Sequence, residues 1–361
     1  MKTIVNRHVL RVEPYVPGKP IEEVKRELGL KQVIKLASNE NPFAPSPKVL
    51  QAINAEAKNL NRYPDGHSFY LRQEIAKRLK IAPEQLIFGN GSDEIIVMAI
   101  RAFVEPGNEV VIAKPSFLIY EIAARLAGAK IKAVPLRNFY YDLDNMKRAV
   151  TEKTKMIFIG NPDNPAGTYV TQSEILDFLS NLRRDIIIFF DEAYFEYVLE
   201  KDYPDTLKLL SDYKNIIITR TFSKLYGLAG LRVGYGIADQ ELIAIVNRVR
   251  EPFNVNSLAQ AAALACLKDQ AYYQRIARFT QKEKKNIYAA LEKLNVSFKE
   301  SATNFVLLDM KRNSSELSRE MLKRGVIVRD MAPWGLRNFI RVTIGTEKEN
   351  KRFLKVLKEV L

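Results

Sequence analysis

The sequence predicts an α/β fold: a mostly parallel central sheet with helices on both faces, joined to a smaller α+β domain. Apolar, β-branched runs at residues 109–113, 156–159, 186–190, 216–219 and 233–237 alternate with helical patterns, and that alternation builds parallel sheets through crossover helices. The run at 186–190 is apolar throughout rather than at every second position, which implies burial on both faces. A chain of 361 residues that is 47% hydrophobic can fill the core of a large domain and a smaller one.

Taken in order, residues 85–88 read as a strand. Gly89-Asn90-Gly91-Ser92-Asp93-Glu94 then leads into a helical run over 95–103. Strand 109–113 ends at Lys114-Pro115-Ser116-Phe117, and strand 155–159 ends at Asn161-Pro162-Asp163-Asn164-Pro165-Ala166-Gly167. Two Asn-Pro steps and a glycine make that second segment a rigid turn. Strand 185–190 stops at Asp191, and strand 215–219 runs into Ser223-Lys224 and a Gly-rich stretch ending at Arg232. A break falls at residues 251–256, followed by an Ala-rich stretch (258–267), a charged helical stretch, and a final third of mixed strands and helices. It closes on an apolar stripe of Phe353, Leu354, Leu357, Val360 and Leu361. The expected division is a large domain over 36–252 and a small one over 253–361, with residues 1–35 packing on the small domain or a partner subunit.

The strand ends carry the chemistry. Lys224 follows a buried strand, with Ser223 before it and Arg232 eight residues on. An amine is a weak nucleophile near neutral pH unless its charge is suppressed or it is condensed with an aldehyde. Ser223 and Arg232 are donors suited to an ester phosphate. Pyridoxal phosphate (PLP) carries both an aldehyde and a phosphate. Its pyridine nitrogen needs an anion to stay protonated, and Asp191 stands where open α/β sheets bind ligands. Asn161 is placed to donate to the phenolic oxygen. Gly91, Ser92 and Asp93 at a helix start offer free N–H groups and a favourable dipole to an anion.

In this order the motifs resemble the fold-type I, class I/II PLP-dependent aminotransferases, and within them the histidinol-phosphate aminotransferase branch. The resemblance runs from about Glu13 to the C-terminus. It rests on segments 13–20, 38–42, 63–66, 91–94, 161–167, 191–194, Ser223-Lys224, Arg232, 325–329 and 340–345. It implies that Lys224 holds PLP as a Schiff base and moves the proton at the substrate Cα. Asp191 would keep the ring nitrogen protonated, while Asn161 and Tyr194 would bond the phenolic oxygen. The backbone of Ser92 and Asp93, with Ser223 and Arg232, would anchor the phosphate, joined by Tyr63 from a second subunit, and Phe117 would stack on the ring. Substrate contacts would come from Tyr15, Asn41, Asn161, Arg329 and Arg341, with Tyr15 also reaching across a homodimer. Phe117 replaces the Tyr of many relatives and Ala166 the usual Thr. The implied reaction is L-histidinol phosphate plus 2-oxoglutarate giving imidazole-acetol phosphate plus glutamate, in histidine biosynthesis. The same scaffold also fits an aromatic aminotransferase or a threonine-phosphate decarboxylase. A non-enzymatic role would predict a Schiff base without turnover.

The net charge of +14 is interspersed with acids and forms no long basic block. Aromatic residues do not interleave with it as nucleic-acid stacking requires. It therefore reads as a solvated basic surface able to attract anionic substrates. A DNA-binding module of the kind carried by PLP-fold regulators would need more residues before the first cofactor motif. Cys266 is expected in the core, and His8 and His67 have no metal-ligand spacing. No apolar run approaches the ~20 residues of a membrane span and the first ten residues have no signal-peptide core, so a cytoplasmic protein is expected. No motif declares the side-chain pocket, although Asn254, Asn256 and Trp334 lie in segments that border such sites in relatives.

Overall fold

The computed structural model describes residues 4–14 and 18–361. Its main sheet has seven strands, in the order Leu86–Gly89, Gly234–Ala238, Ile216–Thr221, Ile187–Asp191, Thr154–Gly160, Glu109–Lys114, Lys130–Pro135. Gly234–Ala238 runs antiparallel to both neighbours and the other contacts are parallel. Alternate residues of the central strands feed two cores. Val111, Ile157, Ile159, Ile188, Phe190 and Ile218 face one helical layer. Val110, Ile112, Met156, Phe158, Phe189 and Ile217 face the other. Burial on both sides is why these strands are apolar at every position, and each such side chain contributes about 1.5–3 kcal/mol of transfer free energy. The Lys130–Pro135 strand escapes the sequence pattern because it lies at the sheet edge, where its lysines stay in water.

A second, antiparallel sheet has the order Arg329–Asp330, Phe339–Thr343, Phe305–Asp309, Ser297–Lys299. It packs on the helices Ser314–Lys323 and Glu347–Val360 through Val306, Leu308, Leu317, Met321, Ile340, Val342, Phe353 and Leu357. Of the expected terminal stripe, Phe353, Leu357 and Val360 are buried, whereas Leu361 is exposed. Ile34–Lys35 pairs in parallel with Val326–Ile327, tying the early chain to this region.

The expected domain boundary needs correction. Helix Ser257–Leu267, assigned from sequence to the small domain, lies in the large core with Val49, Leu71 and Ile75. Its alanines let it sit close to neighbouring helices, so the break at 251–256 is a turn into that core and not a linker. The long helix Gln270–Lys293 then spans both parts: Tyr273 and Ile276 belong to the large core, Ile287 and Leu291 to the small one. Among the described residues no helix is long and apolar enough to cross a membrane, and no cluster of acids, His or Cys could hold a metal.

Candidate active site

The parallel strands of the main sheet present their carboxyl ends to a single cavity of about 380 Å³. Ser92 and Asp93 come from the turn after Leu86–Gly89, and Phe117 from the turn after Glu109–Lys114. Gly160, Pro162 and Asn164 follow the Thr154–Gly160 strand, Asp191 ends its own, and Thr221, Ser223 and Lys224 complete the next. Tyr120, Ala193, Tyr194 and Arg232 close the wall. Ligands gather at this edge of α/β sheets because the turns there leave strand-end groups unpaired.

Burial depresses the Lys224 amine to about 8, and the nearby Arg341 guanidinium pushes it the same way. Its Nζ lies 5.5 Å from the centre of the Tyr194 ring. Asp191 accepts the Tyr120 hydroxyl at 2.7 Å and the Ala193 N–H at 3.1 Å. Burial raises its carboxyl, while those two donors and Lys224 pull it back towards the charged form. Burial also lifts the Tyr194 phenol to about 12, and its oxygen accepts the Asn39 amide at 2.8 Å.

Beside these lies an anion cradle. Gly91 (φ +90°) caps the Ser92–Phe103 helix, and a Cβ there would strike the side chains of Asp93 and Arg232. Gly234 packs so closely that a Cβ would lie 2.6 Å from the Ser92 backbone nitrogen. The two glycines thus bring a helix start and a guanidinium together, which is an anion site. Arg232 donates to Asp93 at 2.7 Å and is held in place by that bond.

A wider cleft of about 1150 Å³ opens alongside and shares Phe117. Arg329 lines it, its guanidinium 4.7 Å from the Trp334 ring centre. The neighbouring Asp330 accepts the Ser314 and Ser315 hydroxyls and the Ala332 N–H. Arg329 and Arg341 are register partners on adjacent antiparallel strands. Directly opposed residues share a sheet face, so the two guanidiniums stand on one side. Arg341 is buried, donates to the Asn164 side chain and to the Ala37 carbonyl, and lies over Phe305.

Two expected site residues, Asn161 and Asn41, fall elsewhere. Asn161 does not line the cavity: its side-chain oxygen accepts the Val170 N–H at 2.8 Å and its amide donates to the Val170 carbonyl at 3.2 Å. Both halves of that amide close the turn, leaving Asn164 at the cavity. Asn41 likewise braces backbone, donating to the Leu225 carbonyl at 2.6 Å and accepting from the Phe43 N–H. Tyr63, expected to serve the site of a second subunit, is 82% exposed and stacks on Phe253. Tyr15 lies outside the described residues. Sequence reasoning also passed over Asn164, Tyr120, Asn39 and Thr221. The second Asn-Pro step could have flagged Asn164, whereas Tyr120 sits in an ordinary helical run.

This donor set suits PLP: an amine of lowered basicity for the aldehyde, a buried carboxylate for the ring nitrogen, and a Gly-framed cradle with Ser223 and Arg232 for the phosphate.

The comparisons agree. Residues 31–357 match the family model described as aminotransferase class I and II. The chain is 47% identical to histidinol-phosphate aminotransferase of Moorella thermoacetica, over 98% of this chain and 92% of that protein. It is 46% identical to the enzyme of the same name from Brevibacillus brevis, over 98% of each. It superposes on histidinol-phosphate aminotransferase of Sinorhizobium meliloti, solved with pyridoxal-5'-phosphate, with a TM-score of 0.89 at 28% identity, covering 98% of this chain and 96% of that one. The chain therefore belongs to the class I and II aminotransferases and, within them, to the histidinol-phosphate aminotransferase family.

Proposed function

We propose that the chain is a PLP-dependent transaminase of histidine biosynthesis, converting L-histidinol phosphate and 2-oxoglutarate to imidazole-acetol phosphate and L-glutamate. Bound PLP supplies an aldehyde that condenses with amines and a protonated ring that draws electrons from Cα. The protein supplies the rest. Lys224 Nζ, kept near neutrality by burial and Arg341, is the base that takes the proton from the substrate Cα. Asp191 holds the ring nitrogen in its protonated form. The backbone N–H groups of Ser92 and Asp93, with Ser223 and Arg232, hold the phosphate end, and Phe117 offers a ring face. Tyr194 and Asn164 would hydrogen-bond the phenolic oxygen, with Asn164 taking the part expected of Asn161 because it is the amide at the cavity.

The observation that carries the substrate assignment is the cross-strand pair of Arg329 and Arg341. Histidinol phosphate bears a phosphate ester where glutamate bears its α-carboxylate, so one site has to hold both anions. Two guanidinium forks on one face suit either.

The working unit is proposed to be a cytoplasmic homodimer. Leu60, Tyr63, Phe69, Tyr70 and Phe253 are all exposed, with Tyr63 stacked on Phe253 and Phe69 edge-on to Tyr70, and exposed apolar side chains of this size are of the kind a partner covers. Tyr63 then reaches the partner's site.

The test is an absorbance titration of the PLP-loaded protein with L-histidinol phosphate beside Lys224→Ala. Loss of the visible cofactor band at low substrate, in wild type alone, is the expected result. Conversion by phenylalanine but not by histidinol phosphate would transfer the assignment to an aromatic aminotransferase.

A further inference from the structure

Lys284 is a buried lysine outside the catalytic cavity. It lies on the Gln270–Lys293 helix and is 5% exposed. Its ammonium meets backbone carbonyls: Nζ donates to Ser301 O and, at 3.2 Å, to Thr303 O. Glu200 and Glu300 act on it only through space, and burial pushes it down to about 8. Burying a charge in this way is costly, so the loop it grips has to matter to the fold or to the site.

That loop touches three carriers of site residues. The Ala302 N–H donates to the Gly167 carbonyl at 2.8 Å. Gly167 (φ +80°) closes the turn that holds Asn164, and a Cβ there would meet Ser301. Asn304 donates to the Asn39 carbonyl at 3.1 Å, and Asn39 donates to the Tyr194 oxygen at 2.8 Å. The chain then enters the Phe305–Asp309 strand, where Leu307 is the register partner of Arg341. Asn164 and Arg341 are themselves hydrogen-bonded. The Ser301 and Thr303 hydroxyls bond each other at 2.7 Å, and Tyr288 of the same helix accounts for the Ser301 N–H. The loop is thus pinned from one helix, bonded to the turn after the Thr154–Gly160 strand and continuous with the Phe305–Asp309 strand.

We propose that Lys284 is a positioning residue for the substrate-anion site, acting through the 301–304 loop on Asn164, Arg341 and Tyr194. A lysine serves because one ammonium satisfies two carbonyls at once, from a helix that belongs to both cores. Its reach does not extend to the cofactor-phosphate cradle of Ser92 and Arg232, which belongs to other elements. It therefore sets substrate binding together with the two groups at the phenolic oxygen, and leaves alone the phosphate grip that dominates cofactor affinity. The inference rests on the proposed placement of the substrate anion at Arg341.

The experiment measures binding of succinate, a non-reacting dicarboxylate, to PLP-loaded Lys284→Met by calorimetry, with PLP affinity measured in parallel. Succinate Kd is expected to rise at least tenfold while PLP affinity stays within threefold. A rise of less than threefold, or a matching loss of PLP affinity, overturns the proposal even if the melting temperature falls. Should Lys284→Met not fold, Asn304→Ala decides: it loosens one arm of the loop, and an unchanged succinate Kd overturns the idea. Arg341→Gln separates the two levels. If it binds succinate as the native enzyme does, the anion placement itself is wrong. If it loses succinate while Lys284→Met does not, only the role of Lys284 fails.

Discussion

Replacing Arg341 by Gln removes a guanidinium that is 6% exposed and bonded to Asn164 and Ala37. Truncating one partner of a buried, hydrogen-bonded charge pair costs about 2–5 kcal/mol. At about 1.4 kcal/mol per tenfold, kcat/KM for each half-reaction should fall roughly 30- to 5000-fold. The loss should appear with both histidinol phosphate and glutamate, because both present an anion to the same fork. A second readout comes from Lys224. Arg341 is the second cause of its lowered basicity, after burial. Removing that positive charge lets the amine hold its proton to higher pH. The rate at which the cofactor-free variant takes up PLP should therefore reach its midpoint above about 8, the native value for the amine. Steady-state kinetics of each half-reaction and a pH series of reconstitution rates test both claims. If kcat/KM stays within threefold for both substrates at full PLP content, the proposed anion site is wrong.

Asn164→Ala should lower kcat/KM at least tenfold with little loss of stability, whereas Asn161→Ala should lower the melting temperature and spare kcat, because its amide closes the turn onto Val170; kinetics and thermal melts of the two variants compare them directly. Glu192→Gln should destabilise the protein by about 3–5 kcal/mol, since it strips the partner from Arg220 in a fully buried pair at 2.8 Å; denaturant unfolding measures it, and a change under 1 kcal/mol would show that the pair is dispensable. Lys224 and Lys284 are both depressed from 10.5 to about 8. Between those values the unfolded chain binds protons that the fold does not, so cofactor-free stability should rise with pH, by about 1.4 kcal/mol per pH unit for each lysine. Lys224→Met should remove one lysine's share of that slope, and an unchanged slope would count against its burial.

What could be read from sequence follows what each residue depends on. Lys224, Asp191 and Arg232 each mark the end of a buried strand or the exit of a Gly-rich stretch, and the sheet brings them to one cavity. Their placement needs only strand order. The choice between Asn161 and Asn164 depends on which amide Val170 captures, and two near-identical Asn-Pro steps conceal that. Tyr120 reaches Asp191 from a helix 71 residues away in sequence, and nothing local marks it. The Ala-rich stretch looked like the start of a new domain because small residues give little amphipathic signal. Only its neighbours show that it fills the large core.

The sheet order also sets a timetable for synthesis. The Leu86–Gly89 strand has one neighbour, Gly234–Ala238, inserted between it and Ile216–Thr221. About 145 residues separate the two in sequence, which at roughly 5–20 residues per second is on the order of ten seconds of translation. During that interval the strand that leads into Gly91 and Ser92 leaves the ribosome with an open edge and an apolar face. The Ile34–Lys35 strand waits longer still, for Val326–Ile327. A nascent chain of this design depends on late segments to shield early ones. Slow translation, or a stop before residue 234, would leave an aggregation-prone intermediate in place of a smaller folded enzyme.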